Sequence, residues 1–398
     1  MEERAEDIRK FTQTGVLDPD SNVQFGEGGA GAFSDGKLNT QTNDVRNRDV
    51  LDAFVRFGAP EEVGYLGKPH VGSDNLKKVV ANIRAYIQEH GGEVRFSEQL
   101  TDVRIRDGRL AEIVTTRGSE PCDELVLAVG HSARDTFEML LSRGFVIEQK
   151  EFAVGVRMEH LQEKIGRAQY GAGYAALPPA DYKLVSHASD RGVFTFCMCP
   201  GGVVIPAASE EGGVVTNGMS DYARAERNAN SALVVQVRRE DFGGDHPLAG
   251  VQFQRKLERA AFRAAGGEYR APVQLVGDFL ADKESYYFGE VKPSYARGTR
   301  FVPMQAIFPH ALTDAMKAAL PDMDRKLSGF AAYEAVMTGV ESRTSSPVRI
   351  LRDAGSLQAE GVVGVYPCGE GCGYAGGITS AAADGIRVAE KIFEAHRA

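Results

Sequence analysis

The sequence predicts an α/β chain with a second, sheet-rich α+β domain inserted into the first, and three observations predict it. Continuous apolar runs suited to strands buried on both faces occur at Glu124–Gly130 and again near the other end at Val362–Tyr366. Each leads through a turn into a segment with helical spacing, Ala133–Arg143 and Ile378 to about Glu394. Between them, from about Glu151 to Gly339, short alternating stretches are separated by Gly, Pro and Asn. The expected division is a discontinuous first domain from residues 1–150 and 340–398, with residues 151–339 as the insert. At 398 residues the chain is too long for one ordinary core.

The elements follow in order. Leu76, Val79, Val80, Ile83 and Ile87 fall on one helical face between Asp74 and His90, with Ser73 as a cap and Gly91-Gly92 as a stop. Glu93–Phe96 then reads as a strand. Two alternating runs, Leu100–Arg106 and Arg109–Thr116, are joined by Asp107-Gly108, a strong hairpin signal. In the insert, Val193–Met198 and Val203–Ala207 read as strands, and Phe253–Ala265 and Leu312–Leu320 as helices.

Composition excludes several classes. A formal charge of −9 argues against nucleic acid, whose binders carry a basic face. No apolar run approaches the ~20 residues that cross a bilayer. Five cysteines do not suggest a disulfide framework, so a reducing cytoplasm is the expected home. Cys197 and Cys199, two apart on a strand, are expected to face one side, but no second pair offers a metal the ligands it needs. They read as small hydrophobes, and no metal site is expected.

The strongest chemical signal is Tyr366-Pro-Cys-Gly-Glu-Gly-Cys-Gly-Tyr-Ala-Gly-Gly-Ile-Thr-Ser380. An apolar strand enters a turn with an acid, Glu370, at its tip, and the turn feeds a helix beginning at Gly376, Gly377 and Ile378. Unpaired N–H groups at a helix start favour negative charge, and two residues without a Cβ let a large ligand lie on the backbone. The carboxylate of Glu370 is placed to accept hydrogen bonds from ligand hydroxyls. The small residues Ala381, Ala382, Gly385 and Ala389 are expected to pack this helix closely on a sheet. A ligand-free strand–turn–helix crossover is the plainer reading, but five glycines around an acid weigh against it. A second glycine-rich stretch, Phe25-Gly-Glu-Gly-Gly-Ala-Gly31 followed by Ser34-Asp-Gly-Lys37, offers another backbone surface for a flat ligand.

The C-terminal turn resembles the last FAD-binding motif of the two-dinucleotide-binding flavoprotein superfamily. Within it, the chain resembles the bacterial FAD-dependent oxidoreductase family labelled NAD(FAD)-utilising dehydrogenases. The resemblance is carried by Ser21–Gly31, Ala128-Val-Gly-His-Ser-Ala-Arg-Asp135, Phe196-Cys-Met-Cys-Pro-Gly-Gly202 and Arg343-Thr-Ser-Ser-Pro-Val-Arg349. It implies a glutathione-reductase-type FAD-binding domain with FAD as cofactor. Gly369 and Glu370 would meet the ribityl chain, and the amides of Gly377 and Ile378 the pyrimidine end of the flavin. Gly28 and Gly29 would run beside the isoalloxazine, and Gly130 would lie close to the dinucleotide. The backbone of Val103 would meet the adenine. Lys37 and Asp35 become candidates for the electrostatics or proton delivery a flavin needs, and His131 for a catalytic base, although a turn histidine is more often structural. The implied reaction is hydride or electron transfer between a reduced donor and a small-molecule substrate. No separate NAD(P)-binding βαβ is visible, so NAD(P)H would dock transiently.

The family opens with a strand–Gly-x-Gly-x-x-Gly–helix–strand unit, and no such motif follows an apolar strand near Met1. The resemblance therefore implies a chain N-terminally incomplete relative to that family, expected to hold FAD weakly or not at all on its own. The alternative is a non-catalytic remnant of the fold that binds a ligand or partner. In the insert Arg157, His160, Lys183, His187, Arg227, Asn228 and Asn230 are polar groups that could meet a substrate, each more simply read as solvated or structural.

Overall fold

Seven strands between residues 152 and 341 form one mixed sheet in the structure, a computed structural model that describes residues 1–397. In order across the sheet they are Thr299–Phe301, Ala271–Leu275, Val336–Glu341, Phe152–Leu161, Asn228–Val237, Val193–Cys199 and Val185–Ser186. Neighbours are antiparallel except Ala271–Leu275 and Thr299–Phe301. Phe152–Leu161 and Asn228–Val237 pair in unbroken register from Leu161↔Asn228 to Phe152↔Val237. Phe152–Leu161 is buried at every position, because the sheet is covered on both sides. The helices Ala249–Ala264 and His310–Lys326 place Phe253, Leu257, Leu312, Met316 and Leu320 in this core. Both expected helices of the insert are thus present, each longer than its apolar stripe.

Outside this sheet the elements are smaller. The hairpin Leu100–Arg106 and Arg109–Thr115 forms as expected, with Asp107 (φ 49°) and Gly108 (φ 74°) both left-handed, as its two-residue turn requires. A third strand, Gly118–Pro121, extends it. The two expected buried strands pair in parallel, Leu125–Leu127 with Val365–Pro367. Among the described residues neither pairs with another strand, so the wider parallel sheet implied by the resemblance is not formed. Helices Ser73–Glu89, Arg134–Ser142 and Ile378–Ala395 match the spacing read from the sequence. No helix among the described residues is long and apolar enough to cross a membrane.

Five expectations are corrected. Glu93–Phe96 is not a strand; it is largely solvent-exposed, and Ser97 turns the chain at φ 52° before any partner is met. Val126, expected inside a strand buried on both faces, is 40% exposed because its strand borders a cavity. Ser73 does not cap its helix; its hydroxyl donates to Asp221 instead. The helix Ile378–Ala395 buries Thr379, Ala383, Asp384 and Val388, while Ile378, Ala381 and Gly385 face the cavity rather than a sheet. Cys197 and Cys199 both line the cavity but are not equivalent positions on a regular strand. A bulge opposite Ser231 puts Cys197 at φ 42°, leaving it exposed and Cys199 buried.

Candidate functional site

A cavity of about 700 Å³ lies where the glycine-rich segments meet the central sheet at Phe196–Cys199 and Glu341. One wall is made of backbone. Strand Val365–Pro367 carries the chain into a turn that is fastened from behind. The Gly369 N–H donates to Asp384 Oδ2 (2.8 Å), and Asp384 is held by Arg352 through two hydrogen bonds (2.7 and 3.0 Å). The turn lies against the segment 128–132, and a Cβ on Gly371 would stand 2.3 Å from the Gly130 carbonyl oxygen. That glycine serves the fold.

Gly376 and Gly377 are different. A Cβ on either would meet nothing within 4 Å, and neither has a left-handed φ. Neither packing nor backbone geometry requires glycine there. What both permit is close approach from the cavity, onto a helix start with no side-chain cap. Gly29 (φ 59°) and Gly130 (φ 75°) likewise have open space where a Cβ would stand. The loop bearing Gly28 and Gly29 is wrapped around Arg4, whose guanidinium donates to the carbonyls of Asn22 and Val23 at 2.9 Å.

Glu370 faces the cavity with no hydrogen-bond partner for its carboxylate among the described residues. Burial pushes its pKa up to about 7, and only the nearby Lys150 pulls it down. A carboxyl lacking its partner is what ligand hydroxyls would satisfy.

His131 is placed by a short relay. Gln24 donates through Nε2 to the Ala207 carbonyl (3.2 Å), so its Oε1 accepts from the Ser132 hydroxyl (3.2 Å). With that proton committed, His131 Nδ1 donates to Ser132 Oγ (2.9 Å), leaving Nε2 as the ring's acceptor. Burial, then Arg343 and Arg134, lower its pKa to about 4. It is a neutral acceptor near pH 7 and a weak base.

The opposite wall is made of side chains, most of whose charges are paired with groups behind the lining. Arg157, 0% exposed, donates to both carboxylate oxygens of Glu341 (2.9 and 2.8 Å), to the Cys197 carbonyl (2.8 Å) and to Asn217 Oδ1 (3.0 Å). Arg343 and Arg134 share the buried Glu258, whose carboxyl they hold well below the usual range against the effect of burial. Asp35 is gripped by Arg224 (Nε to Oδ1 2.9 Å), and Lys37 Nζ stands 3.6 Å from Asp35 Oδ2. Nearby, His70 stacks on Tyr222.

The cavity therefore gathers Lys37, Asp35, His131, Gly28, Gly29, Gly130, Gly369, Glu370, Gly376, Gly377 and Ile378 from four stretches of chain. Val103 lies outside its lining. Its side chain is 1% exposed among Leu110, Leu127 and Phe137, and its N–H donates to Asp102 (2.9 Å). Of the polar groups in the insert, Arg157, His160, Asn228 and Asn230 are buried and structural, and none of the seven lines the cavity. Sequence reading missed Asn217, Glu341 and Arg224. Their only local signal was a polar residue within a strand or beside a turn, which does not reveal a partner 60 to 189 residues away.

Comparison with known proteins bears on this site. Residues 151–344 match the family described as FAD-dependent protein, C-terminal domain-like. A Clostridium beijerinckii (strain ATCC 51743 / NCIMB 8052) protein, described only as uncharacterized, is 52% identical over 398 residues, covering 99% of this chain and 74% of that protein. Among solved structures, an oxidoreductase from Methanosarcina mazei aligns at TM-score 0.34 and 11% identity, over 88% of this chain and 66% of the other. A glycine oxidase from Bacillus cereus ATCC 14579 aligns at TM-score 0.31 and 11% identity, over 99% of this chain and 80% of the other. Those two likenesses are too slight to bear on fold or activity. The chain belongs to one protein family with the Clostridium beijerinckii protein, and its residues 151–344 match the FAD-dependent protein, C-terminal domain-like family.

Proposed function

We propose that the chain is an FAD-dependent oxidoreductase whose flavin end lies on the glycine wall of the cavity, in the manner of the NAD(FAD)-utilising dehydrogenases. The observation that carries this reading is that Gly376 and Gly377 have no reason within the fold to be glycine, yet open a helix start onto the cavity. The family match over residues 151–344 supports FAD as the group concerned. The residues fit it. Gly376, Gly377 and Ile378 would take the pyrimidine end, where unpaired amides favour negative charge. Glu370 would accept from the ribityl hydroxyls, and Gly28, Gly29 and Gly130 would leave room for the ring and chain.

When bound, FAD supplies hydride or electron transfer; the protein holds it and excludes water. His131, neutral with a free Nε2, offers a hydrogen-bond acceptor rather than a general base. Asp35 positions Arg224 and Lys37, since its own carboxylate is committed. A nicotinamide donor would reach the flavin only transiently, and the oxidised or reduced partner is a small molecule.

The test is FAD retention. Glu370→Ala should weaken FAD by about 1.5–3 kcal/mol, the range for a hydrogen bond to a charged group. Unchanged affinity in that variant removes Glu370 from the site.

A further inference from the structure

We propose that Lys37 and Asn217 form the anchor for a carboxylate on the substrate, so that the site selects small carboxylic acids. The inference rests on the flavin reading, which assigns the glycine wall to the cofactor and leaves the opposite wall to the substrate.

Both oxygens of Glu341 accept from Arg157, and both oxygens of Asp35 accept from Arg224. Asn217 Oδ1 accepts twice, from Arg157 (3.0 Å) and from the Gly218 N–H (2.9 Å). Those two contacts fix which end of the amide is oxygen, so the Asn217 NH₂ is the remaining group, and it has no partner among the described residues. Lys37 is the other surplus. Its ammonium makes no hydrogen bond among the described residues, and its one ion-pair partner, Asp35 at 3.6 Å, is already neutralised by Arg224. Two cations thus face one carboxylate, and the Lys37 side chain keeps 28% of its surface open to the cavity.

Lys37, Cys197 and Asn217 line the same cavity, and the Cys197 carbonyl accepts from the same Arg157 that holds Asn217. The wall therefore offers the Lys37 ammonium and one amide donor, with the charges of Glu341 and Asp35 already paired to arginines. A group that brings two acceptor oxygens and one negative charge satisfies it. A neutral amide would bring no charge to answer the Lys37 ammonium. A phosphate would bring more charge than one lysine answers.

The experiment titrates the full chain with benzoate and with benzamide, which has nearly the same shape and no charge, by isothermal calorimetry. Benzoate should bind about tenfold or more tighter, the order expected for a charge-assisted contact. Lys37→Met and Asn217→Ala should each shrink that ratio toward one, and Lys37→Arg should keep it. Inorganic phosphate should not displace benzoate. A ratio near one in the wild type overturns the proposal even if no variant folds, as does a ratio that survives Lys37→Met in a folded variant. Phosphate binding in preference to benzoate makes this a general anion site and overturns the carboxylate assignment. FAD titration of the same proteins separates the two readings. If wild-type chain selects benzoate but takes no FAD, the flavin reading fails and the anchor stands. If Lys37→Met loses FAD as readily as benzoate, the pair serves the cofactor and the anchor fails.

Discussion

On one side of the cavity the chain presents glycines, an uncapped helix start and a single unpaired carboxyl. On the other it presents Glu341, Arg343 and Asp35, each already paired with a buried or half-buried opposite charge, Arg157, Glu258 and Arg224. The first wall is incomplete as a piece of folded protein, since its polar groups wait for something outside the chain. In the second the carboxylates are paired, and an ammonium, an amide and the Thr216 hydroxyl are left over among the described residues. On the proposed reading this difference separates cofactor from substrate: a large ligand needs empty backbone, while a small one needs a few leftover donors on a rigid support.

The largest expected effect tests the completeness of the second wall. Glu341→Ala strands the guanidinium of Arg157 in the sheet interior, and breaking such a buried pair costs about 3–5 kcal/mol. Urea unfolding measures it. A loss below about 1 kcal/mol would mean that water reaches Arg157 and the wall is not closed.

The incompleteness of the first wall gives a change of opposite sign. The folded-state pKa of Glu370 is raised from 4.5 to about 7. The folded state therefore binds this proton more tightly than the unfolded chain does, and stability from this group falls as pH rises from about 4.5 to 7. Glu370→Gln should stabilise the flavin-free chain by up to about 3 kcal/mol near pH 8 and by little near pH 5. By the same logic FAD, bonding to the carboxylate form, should bind more tightly as pH rises through 7. An equal effect of the substitution at both pH values shows that the carboxyl is solvated.

Smaller effects distinguish the two kinds of glycine. Gly371→Ala drives a Cβ to 2.3 Å from the Gly130 carbonyl and should cost about 1–3 kcal/mol in stability. Gly377→Ala meets nothing and should change stability by less than about 0.5 kcal/mol, read by thermal unfolding. Equal losses at the two positions would erase the distinction.

Much of this was legible in the sequence, for physical reasons. The hairpin at Asp107-Gly108 and the helix from Ile378 are local: turn residues and helical spacing lie within a few positions of each other. The glycine wall was legible because Glu370, Gly376 and Gly377 stand together in one turn. The second wall was not, since Arg157 and Glu341, or Asp35 and Arg224, meet only after the sheet has formed. The helices Glu2–Thr14 and Arg46–Arg56 were also not read. The first buries only Arg4 and Phe11, too sparse a stripe to show a period. Cys197 was misplaced because a bulge breaks the alternation on which the reading relied.

The most direct test of the account is a titration of FAD into the wild-type chain and into Gly377→Leu, followed by flavin fluorescence, which no tryptophan obscures in this protein. The account predicts saturable binding to the wild type, weakened about tenfold or more in the variant (~1.4 kcal/mol), with the melting temperature of the flavin-free protein unchanged. Equal affinity in the two proteins, or no saturable binding to the wild type, contradicts it.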